Sequence, residues 1–214
     1  MIDLHTHLIP GVDDGSETAA RSVEVLERFA AQGVTAVCCT PHLKASEAAA
    51  APGAELEALL AGLRAAAPAS VALSRGYEIM LDVPAPELAG RGLTLAGTRY
   101  VLVEFGRLVP ADASVEALRR LTDQGLVPVL AHPERYHACS VEQARRWRQA
   151  GAVLQLDATT LLASTRRAER ARALLEAGLG DLIASDNHGD GRSLAVAVEW
   201  LDAHGGERQA RALA

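Results

Sequence analysis

Asp3-Leu4-His5-Thr6-His7 stands at the start of the chain, and three segments of the same kind follow it: Pro41-His42, Ala131-His132-Pro133 and Ser185-Asp186-Asn187-His188. Each lies where a short apolar run ends. A lone His on an apolar strand is ordinarily a core residue with both ring nitrogens satisfied. Four run ends that carry imidazole, two of them with carboxylate alongside, exceed what packing needs. The pattern points to a metal-dependent hydrolase.

Working outward, seven runs read as strands: Met1 to His5, Val34 to Thr40, Val71 to Glu78, Tyr100 to Phe105, Val127 to His132, Ala152 to Asp157 and Asp181 to Ser185. Helical spacing fills the gaps. Ala19, Val23, Leu26 and Ala30 share one helix face, opened by Ser16 as N-cap with Glu17 in the first turn. Val115, Leu118 and Leu121 form a second such face, and Ala168, Ala171, Leu174 and Leu175 a third. Gly33, Gly125, Gly151 and Gly178 each follow a helical run and precede a strand, the position after a helix end that favours Gly. This alternation predicts a parallel sheet covered by helices. In a closed barrel all strand ends converge on one face, whereas seven ends of an open sheet would spread too far for one metal site. The expectation is therefore an α/β chain folded as a seven-stranded barrel, a single domain spanning residues 1–214.

Composition narrows the function classes. The chain has 214 residues, 49% hydrophobic and only 3% aromatic, so Leu, Val and Ala must fill its core. Its formal charge is -6, Lys44 is its only lysine, and no basic run is interleaved with aromatics, which argues against nucleic acid as the main partner. Cys38, Cys39 and Cys139 make no pairable framework, which suits a reducing cytoplasm. No leader pattern and no stretch of transmembrane length is present. Arg166, Arg167, Arg170 and Arg172 read as a solvated helix face, since apolar positions lie between them.

Within the ligand clusters, His5 and His7 are two apart on a strand, so both imidazoles point to one side and can bind one ion. Asp13-Asp14-Gly15-Ser16 follows as either a carboxylate ligand or a capping turn. Glu78 and Glu104 end their runs as carboxylates amid apolar residues, where an unpaired charge is expensive and a metal would justify it. Asp186 and His188 repeat the spacing of two at the last strand; His137 and His204 read as ordinary surface residues.

Asp-Leu-His-Thr-His followed by Pro10-Gly11-Val12-Asp13-Asp14-Gly15-Ser16, then Thr40-Pro41-His42, Gly76-Tyr77-Glu78-Ile79, Leu130-Ala131-His132-Pro133-Glu134-Arg135-Tyr136 and Ser185-Asp186-Asn187-His188, resembles the polymerase and histidinol phosphatase (PHP) superfamily. Within it, the Asp-Asp-Gly element and His-Pro-Glu-Arg-Tyr resemble the bacterial tyrosine-protein phosphatases of capsule and exopolysaccharide loci, the CpsB/CapC type. The resemblance implies a distorted (β/α)7 barrel with a site for three divalent ions at the C-terminal ends of the strands. Position by position, it implies that His5, His7, Glu78 and Asp186 hold one ion. A bridging Glu78 with Glu104 and His132 would hold a second, and Asp14, with Asp13 as the alternative, His42 and His188 a third. Arg135 and Arg192 would clamp phosphate oxygens, and His42 or His188 would supply a proton. Mn2+ is the favoured ion, with Fe2+ or Zn2+ as alternatives suited to mixed oxygen and imidazole ligands. The implied substrate is a phosphotyrosine protein or peptide, with a bacterial tyrosine kinase as partner, and an oligomer is compatible with the family.

Charge fits this reading. Asp14, Glu78, Glu104 and Asp186 against three divalent ions leave an excess of about two positive charges, which a phosphate dianion balances. A bridging water, acidified from a bulk pKa of ~15.7 to roughly neutral, would attack phosphorus in line. A phenolate leaving group with pKa ~10 needs less help than an alkoxide. The competing readings are a small-molecule phosphatase of the same superfamily acting on histidinol phosphate or a nucleotide, a metal-dependent deacylase, and a nonenzymatic metal-binding module. A deacylase of the type that uses a carboxylated lysine would need one where Glu104 stands. Cys139 and Arg145 satisfy the C-x5-R spacing of cysteine phosphatases, but Ser140-Val141-Glu142-Gln143 reads as a capping box and the intervening residues hold no Gly to wrap a phosphate.

Overall fold

The apolar runs form strands where the sequence puts them, and two further short strands start at or just past the ends of the second and third runs. In the computed structural model, which describes residues 1–204, the strands are β1 Ile2–Thr6, β2 Ala36–Cys39, β3 His42–Lys44, β4 Ala72–Arg75, β5 Glu78–Met80, β6 Tyr100–Glu104, β7 Val127–Ala131, β8 Val153–Asp157 and β9 Leu182–Ala184. Residues 205–214 of the expected domain lie outside the described part. Past Thr40-Pro41, where the second run ends, β3 follows as a further strand, and the third run stops at Gly76-Tyr77 before β5 starts at its last residue, so nine strands form where seven runs are expected. Pro41 has no N–H to give a ladder. Opposite it the Glu78 N–H turns to the carbonyls of Thr40 (3.3 Å) and Pro41 (3.1 Å).

Every pairing is parallel, but the pairings make two sheets. One has the order β1-β2-β4 and the other β3-β5-β6-β7-β8-β9. The expected closed seven-stranded barrel is thus corrected: the ladder is interrupted where β2 passes to β3 and β4 to β5, and the first and last strands meet only at an isolated bridge between Thr6 and Asn187. Two backbone bonds fix that meeting, from Asp186 N–H to the His5 carbonyl (3.0 Å) and from His7 N–H to the Asn187 carbonyl (2.8 Å). Both ends of the described chain thereby bring their imidazoles and carboxylates together.

The helices are α1 Ala19–Ala31, α2 Gly53–Ala66, α3 Ala111–Asp123, α4 Val141–Gln149, α5 Arg166–Glu176 and α6 Ala195–Ala203. Thr18, not Ser16, caps α1, accepting from Arg21 N–H at 3.2 Å. Ser16 instead gives its N–H to the His7 carbonyl at 2.9 Å, so it belongs to the loop around the site. The buried face of α1 is also turned from the expected one: it presents Ser22, Val25, Leu26 and Phe29. Burying Val and Phe removes more apolar area from water than burying Ala, at about 25 cal/mol per Å2, and that difference selects the face. Ser140 caps α4 by accepting from Gln143 N–H (3.1 Å), but the Gln143 amide turns away to the Ala111 carbonyl (3.0 Å), so only half of the expected capping box forms.

The main core lies between helices and sheets and holds Phe29, Leu118, Trp147 and Leu154, all inaccessible to solvent. A smaller apolar cluster of Cys38, Leu95, Leu102, Val129 and Ala131 is separate from it. Among the described residues no helix is long and apolar enough to cross a membrane.

Gly151, between α4 and β8, has φ +94°, and a Cβ there would meet the Thr122 hydroxyl at 2.6 Å. Gly151→Ala should therefore destabilise the fold by about 1 to 3 kcal/mol, from the left-handed backbone and the displaced Thr122 together. Urea unfolding would read this as a lower midpoint at unchanged slope; an unchanged midpoint would contradict the strain argument.

Candidate metal centre

β1 delivers His5 and His7, both fully buried, to one point. Their Nε2 atoms are 3.2 Å apart. The Glu78 carboxylate, at the start of β5, comes within 3.3 Å of His5 Nε2 and 3.4 Å of His7 Nε2. Asp186, just past β9, comes within 3.3 Å and 3.5 Å of the same atoms. These four side chains form one compact donor group with all ligand atoms within 4.8 Å of one another.

Two further groups adjoin it. His7, Asp14, His42 and His188 form one, with Asp14 Oδ1 3.3 Å from His42 Nε2 and 3.4 Å from His188 Nε2. His42, Glu78 and Glu104 form the other, with His42 Nδ1 3.0 Å from Glu78 and 3.7 Å from Glu104. His132 Nε2 lies beside this last group, 2.7 Å from Glu78 and 3.9 Å from Glu104. All nine residues expected as ligands thus meet in one cluster, but His42 stands with Glu78 and Glu104 more closely than the expected grouping gives.

The ring tautomers are fixed from behind. His5 Nδ1 faces Gln155 Oε1 at 3.0 Å, and the Gln155 amide is oriented by donating to the Leu156 carbonyl at 2.7 Å. His7 Nδ1 faces Asp13 Oδ2 at 2.7 Å, and His188 Nδ1 faces the Asp186 carbonyl at 2.8 Å. Each acceptor holds a proton on Nδ1 and leaves Nε2 aimed into the cluster, the arrangement of a metal-ligating imidazole. Mixed imidazole and carboxylate donors oriented in this way fit divalent cations.

The Asp13-Asp14 pair is divided by the same geometry. Asp13 accepts from His7 Nδ1, Gly15 N–H (3.0 Å) and His42 N–H (3.2 Å), so its oxygens are spent behind the imidazoles. Asp14 points its exposed carboxylate at His42 and His188. The loop that carries both packs tightly on β1: a Cβ on Gly15 would come within 2.1 Å of the His7 carbonyl oxygen.

Arg135 and Arg192 approach Asp186 from two directions. Arg135 donates through Nη2 to Asp157 (2.6 Å) and to Asp186. Arg192 Nη1 lies 3.4 Å from Asp186, while its Nε bonds Asp190 at 2.8 Å. Asp157, at the end of β8, was not singled out by the sequence reading, and neither was Gln155. Both alternate on one strand with their side chains toward the cluster, a period-two signal inside a run that reads otherwise as apolar core. Asp3 was also missed as a support: buried beneath the site, it accepts from His5 N–H (3.3 Å) and Ser185 N–H (3.2 Å), and burial pushes its pKa up to about 6.

The electrostatics are those of a crowded, dry ion cluster. Burial opposes charge on His5, yet Glu78 and Asp186 outweigh it and raise its pKa to about 9. Burial likewise opposes ionisation of Glu78 and Asp186, but the charge on His5 and further hydrogen bonds hold both carboxyls below the usual range. Glu104, buried next to the charge of Glu78, is pushed up to about 7. Burial lowers His132 and His188, which favours their neutral, ligating form. The backbone is strained at two of these positions, with φ +33° at His132 and +50° at Asp186, conformations that non-Gly residues adopt at a cost and that concentrate at functional sites.

Other sequence candidates lie apart from this chemistry. Cys139 is buried with its pKa raised to about 12 by burial, and Arg145 is exposed, so the C-x5-R spacing makes no phosphate loop. Lys44 pairs on the surface with Glu47 at 3.4 Å. His137 and His204 are exposed, as expected.

A family model described as "Capsular polysaccharide synthesis, CpsB/CapC" matches residues 1–214. Tyrosine-protein phosphatase YwqE of Bacillus subtilis (strain 168) is 29% identical over 197 residues, covering 88% of this chain and 77% of the relative. Tyrosine-protein phosphatase CpsB of Streptococcus pneumoniae is 28% identical over 201 residues, covering 88% and 83%. A solved structure from work on YwqE of Bacillus subtilis and CpsB of Streptococcus pneumoniae, described as metal-dependent tyrosine phosphatases, superposes with a TM-score of 0.80. It has 26% identity and covers 99% of this chain and 90% of that one.

The charge state of the cluster makes metal binding a proton exchange. With a pKa of about 9, His5 is protonated in the metal-free protein at neutral pH, and it must lose that proton to ligate. Titration with Mn2+ at pH 7 should therefore release at least one proton per chain, and apparent affinity should climb as pH rises toward 9. Calorimetry in buffers of different ionisation enthalpy measures the release; binding without proton release would contradict the charge assignment.

Proposed function

The chain belongs to the CpsB/CapC family of capsular polysaccharide synthesis proteins, and from that premise we propose that it is a metal-dependent phosphomonoesterase acting on phosphotyrosine in proteins. The observation that carries the reading is the convergence of three donor groups, with tautomers set from behind, beside two arginines. In this reading three divalent ions, Mn2+ in preference to Fe2+ or Zn2+, are held in turn. His5, His7, Glu78 and Asp186 hold the first, Glu78, Glu104 and His132 the second, and Asp14, His42 and His188 the third. His42 Nδ1 lies 3.0 Å from Glu78, so His42 would adjoin the second donor group as well as helping to hold the third ion. When bound, such ions supply an acidified water and neutralise the charge of a phosphate dianion.

The chain's own side chains do the positioning. Arg135 is anchored through one nitrogen, Nη2, and among the described residues its Nη1 and Nε have no hydrogen-bond partner. The remaining N–H groups of Nη1 and Nε lie on different sides of the guanidinium, so each can donate singly to a phosphate oxygen, and a two-pronged grip would need Nη2 to leave its carboxylates. Arg192, tied by Nε to Asp190, adds a second guanidinium at the same carboxylate. His42 is 40% exposed, and a ring nitrogen of it that the ions leave free would be placed to hand a proton to the leaving phenol oxygen. His188, held neutral and stacked on His7 at 4.1 Å, backs it as a second proton carrier or ligand.

A protein substrate is favoured over histidinol phosphate or a nucleotide because the space beside Arg135 is an open groove rather than a pocket that would enclose a small ligand. A bacterial tyrosine kinase is the implied source of the phosphotyrosine. Cys38, Cys39 and Cys139 are free, in keeping with action in the cytoplasm.

Purified Mn2+-loaded protein assayed against phosphotyrosine peptides, histidinol phosphate and nucleotide monophosphates should prefer the peptides in kcat/KM. Arg135→Ala should lower that value by about 30- to 1000-fold, the loss of one charge-assisted clamp of about 2 to 4 kcal/mol, with metal content retained. Preference for a small phosphate ester, or wild-type turnover by the metal-loaded variant, would overturn the assignment.

A further inference from the structure

Arg166, Arg167, Arg170 and Arg172 sit in the first two turns of α5, and the structure separates them into two pairs. Arg170 donates to the carbonyls of Glu134 (3.4 Å) and Tyr136 (3.1 Å), and Arg172 to those of Leu161 (2.6 Å) and Ala163 (2.9 Å). These two fasten α5 to neighbouring loops, which corrects the expectation that all four form a solvated face. Arg166 and Arg167 are exposed and, among the described residues, have no hydrogen-bonded or ionic partner. They line a groove of about 520 Å3 that they share with Arg135 and Asp157.

The groove therefore runs from the guanidinium assigned to the phosphate to two more guanidiniums that no side chain among the described residues neutralises. Asp157 is the one carboxylate in its lining, and it already bonds Arg135 (2.6 Å) and the Thr159 hydroxyl (2.8 Å). The lining keeps a formal excess of two positive charges on a chain whose net charge is -6. Local charge of this sign acts on a ligand within a Debye length, ~8 Å at physiological ionic strength, while the distant negative charge is screened. Guanidinium groups match carboxylate and phosphate oxygens in geometry as well as sign.

We infer that this groove is a subsite for a second anionic side chain of the substrate, a carboxylate or a phosphate carried close in sequence to the phosphotyrosine, held by Arg166 and Arg167. The inference rests on the phosphotyrosine reading and adds a determinant of which phosphotyrosines are taken. The hydroxyl of Thr160, also in the lining, is a further donor for such a group.

The test uses three phosphotyrosine peptides that differ only in the flanking residues: neutral, glutamate-containing, and carrying a second phosphotyrosine. With the Mn2+-loaded wild type, the anionic peptides should exceed the neutral one in kcat/KM by about tenfold, mainly through KM, and the ratio should shrink as salt is raised. The glutamate and phosphate arms tell which anion the subsite prefers. In Arg166→Ala/Arg167→Ala the ratio should fall to about one, and Arg166→Lys/Arg167→Lys should recover part of it because the charge returns without the fork. A wild-type ratio of one, or an undiminished ratio in the double alanine variant with unchanged circular dichroism, overturns the subsite alone. Failure of the wild type to hydrolyse any of the three peptides overturns the phosphotyrosine reading and the subsite with it.

Discussion

Glu78 is only 1% exposed, and four imidazoles, those of His5, His7, His42 and His132, stand within 3.4 Å of its carboxylate oxygens. A buried carboxylate without compensation costs several kcal/mol, so this position is tenable only with positive charge close by. In the metal-free chain that charge comes from protons on His5 and His7, whose pKa values the surrounding carboxylates raise, and from Arg135 and Arg192 at the neighbouring Asp186. Divalent ions would meet the same need with more charge in less space. The cluster is thus a set of groups whose mutual burial is justified by what they bind.

The fold serves this constraint at its irregular points. The interruption at Thr40-Pro41 carries His42 out of the β2 ladder, and the interruption at Gly76-Tyr77 does the same for Glu78, so both start new short strands that pair with each other. A Cβ on Gly76 would meet the Leu95 side chain at 2.7 Å, which explains a small residue at that break. At the opposite side, the bridge from Thr6 to Asn187 brings β1 and β9 together, with Asp3 clipping both strands from below. Left-handed backbone at His132 and Asp186 turns two more donors inward. Regular strands supply rigidity, and their broken ends supply aim.

Much of this was legible in the chain. The residues that converge in the cluster could be picked out because imidazole and carboxylate at the ends of apolar runs have no inexpensive structural explanation. The runs could be found because Val, Leu and Ile leave few alternatives to a buried parallel strand. The short strands His42–Lys44 and Glu78–Met80 were harder, since three residues at or beyond the end of a run give no periodic signal of their own, and with them went the closed barrel. The Ser16 cap failed because a tertiary bond to the His7 carbonyl competes for that residue, a contact without local signal. Gln155 and Asp157 are invisible for a similar reason: their roles follow from which way β8 faces, and that is set by partners far away in sequence. The roles of Asp13 and Asp14 could be separated only by the turn that aims one behind His7 and the other at His42.

The central claim is that the strand-end cluster is organised to hold divalent cations. Diffraction from crystals of the Mn2+-loaded protein, collected on either side of the manganese edge, tests it directly. The account predicts anomalous peaks among His5, His7, Glu78 and Asp186, and among the adjoining groups that include Asp14, His42, His188, Glu104 and His132, with Arg135 displaced from Asp186 or sharing it with an ion. Absence of manganese from these positions at saturating metal, with His5 still paired to Glu78 and Asp186, would contradict it.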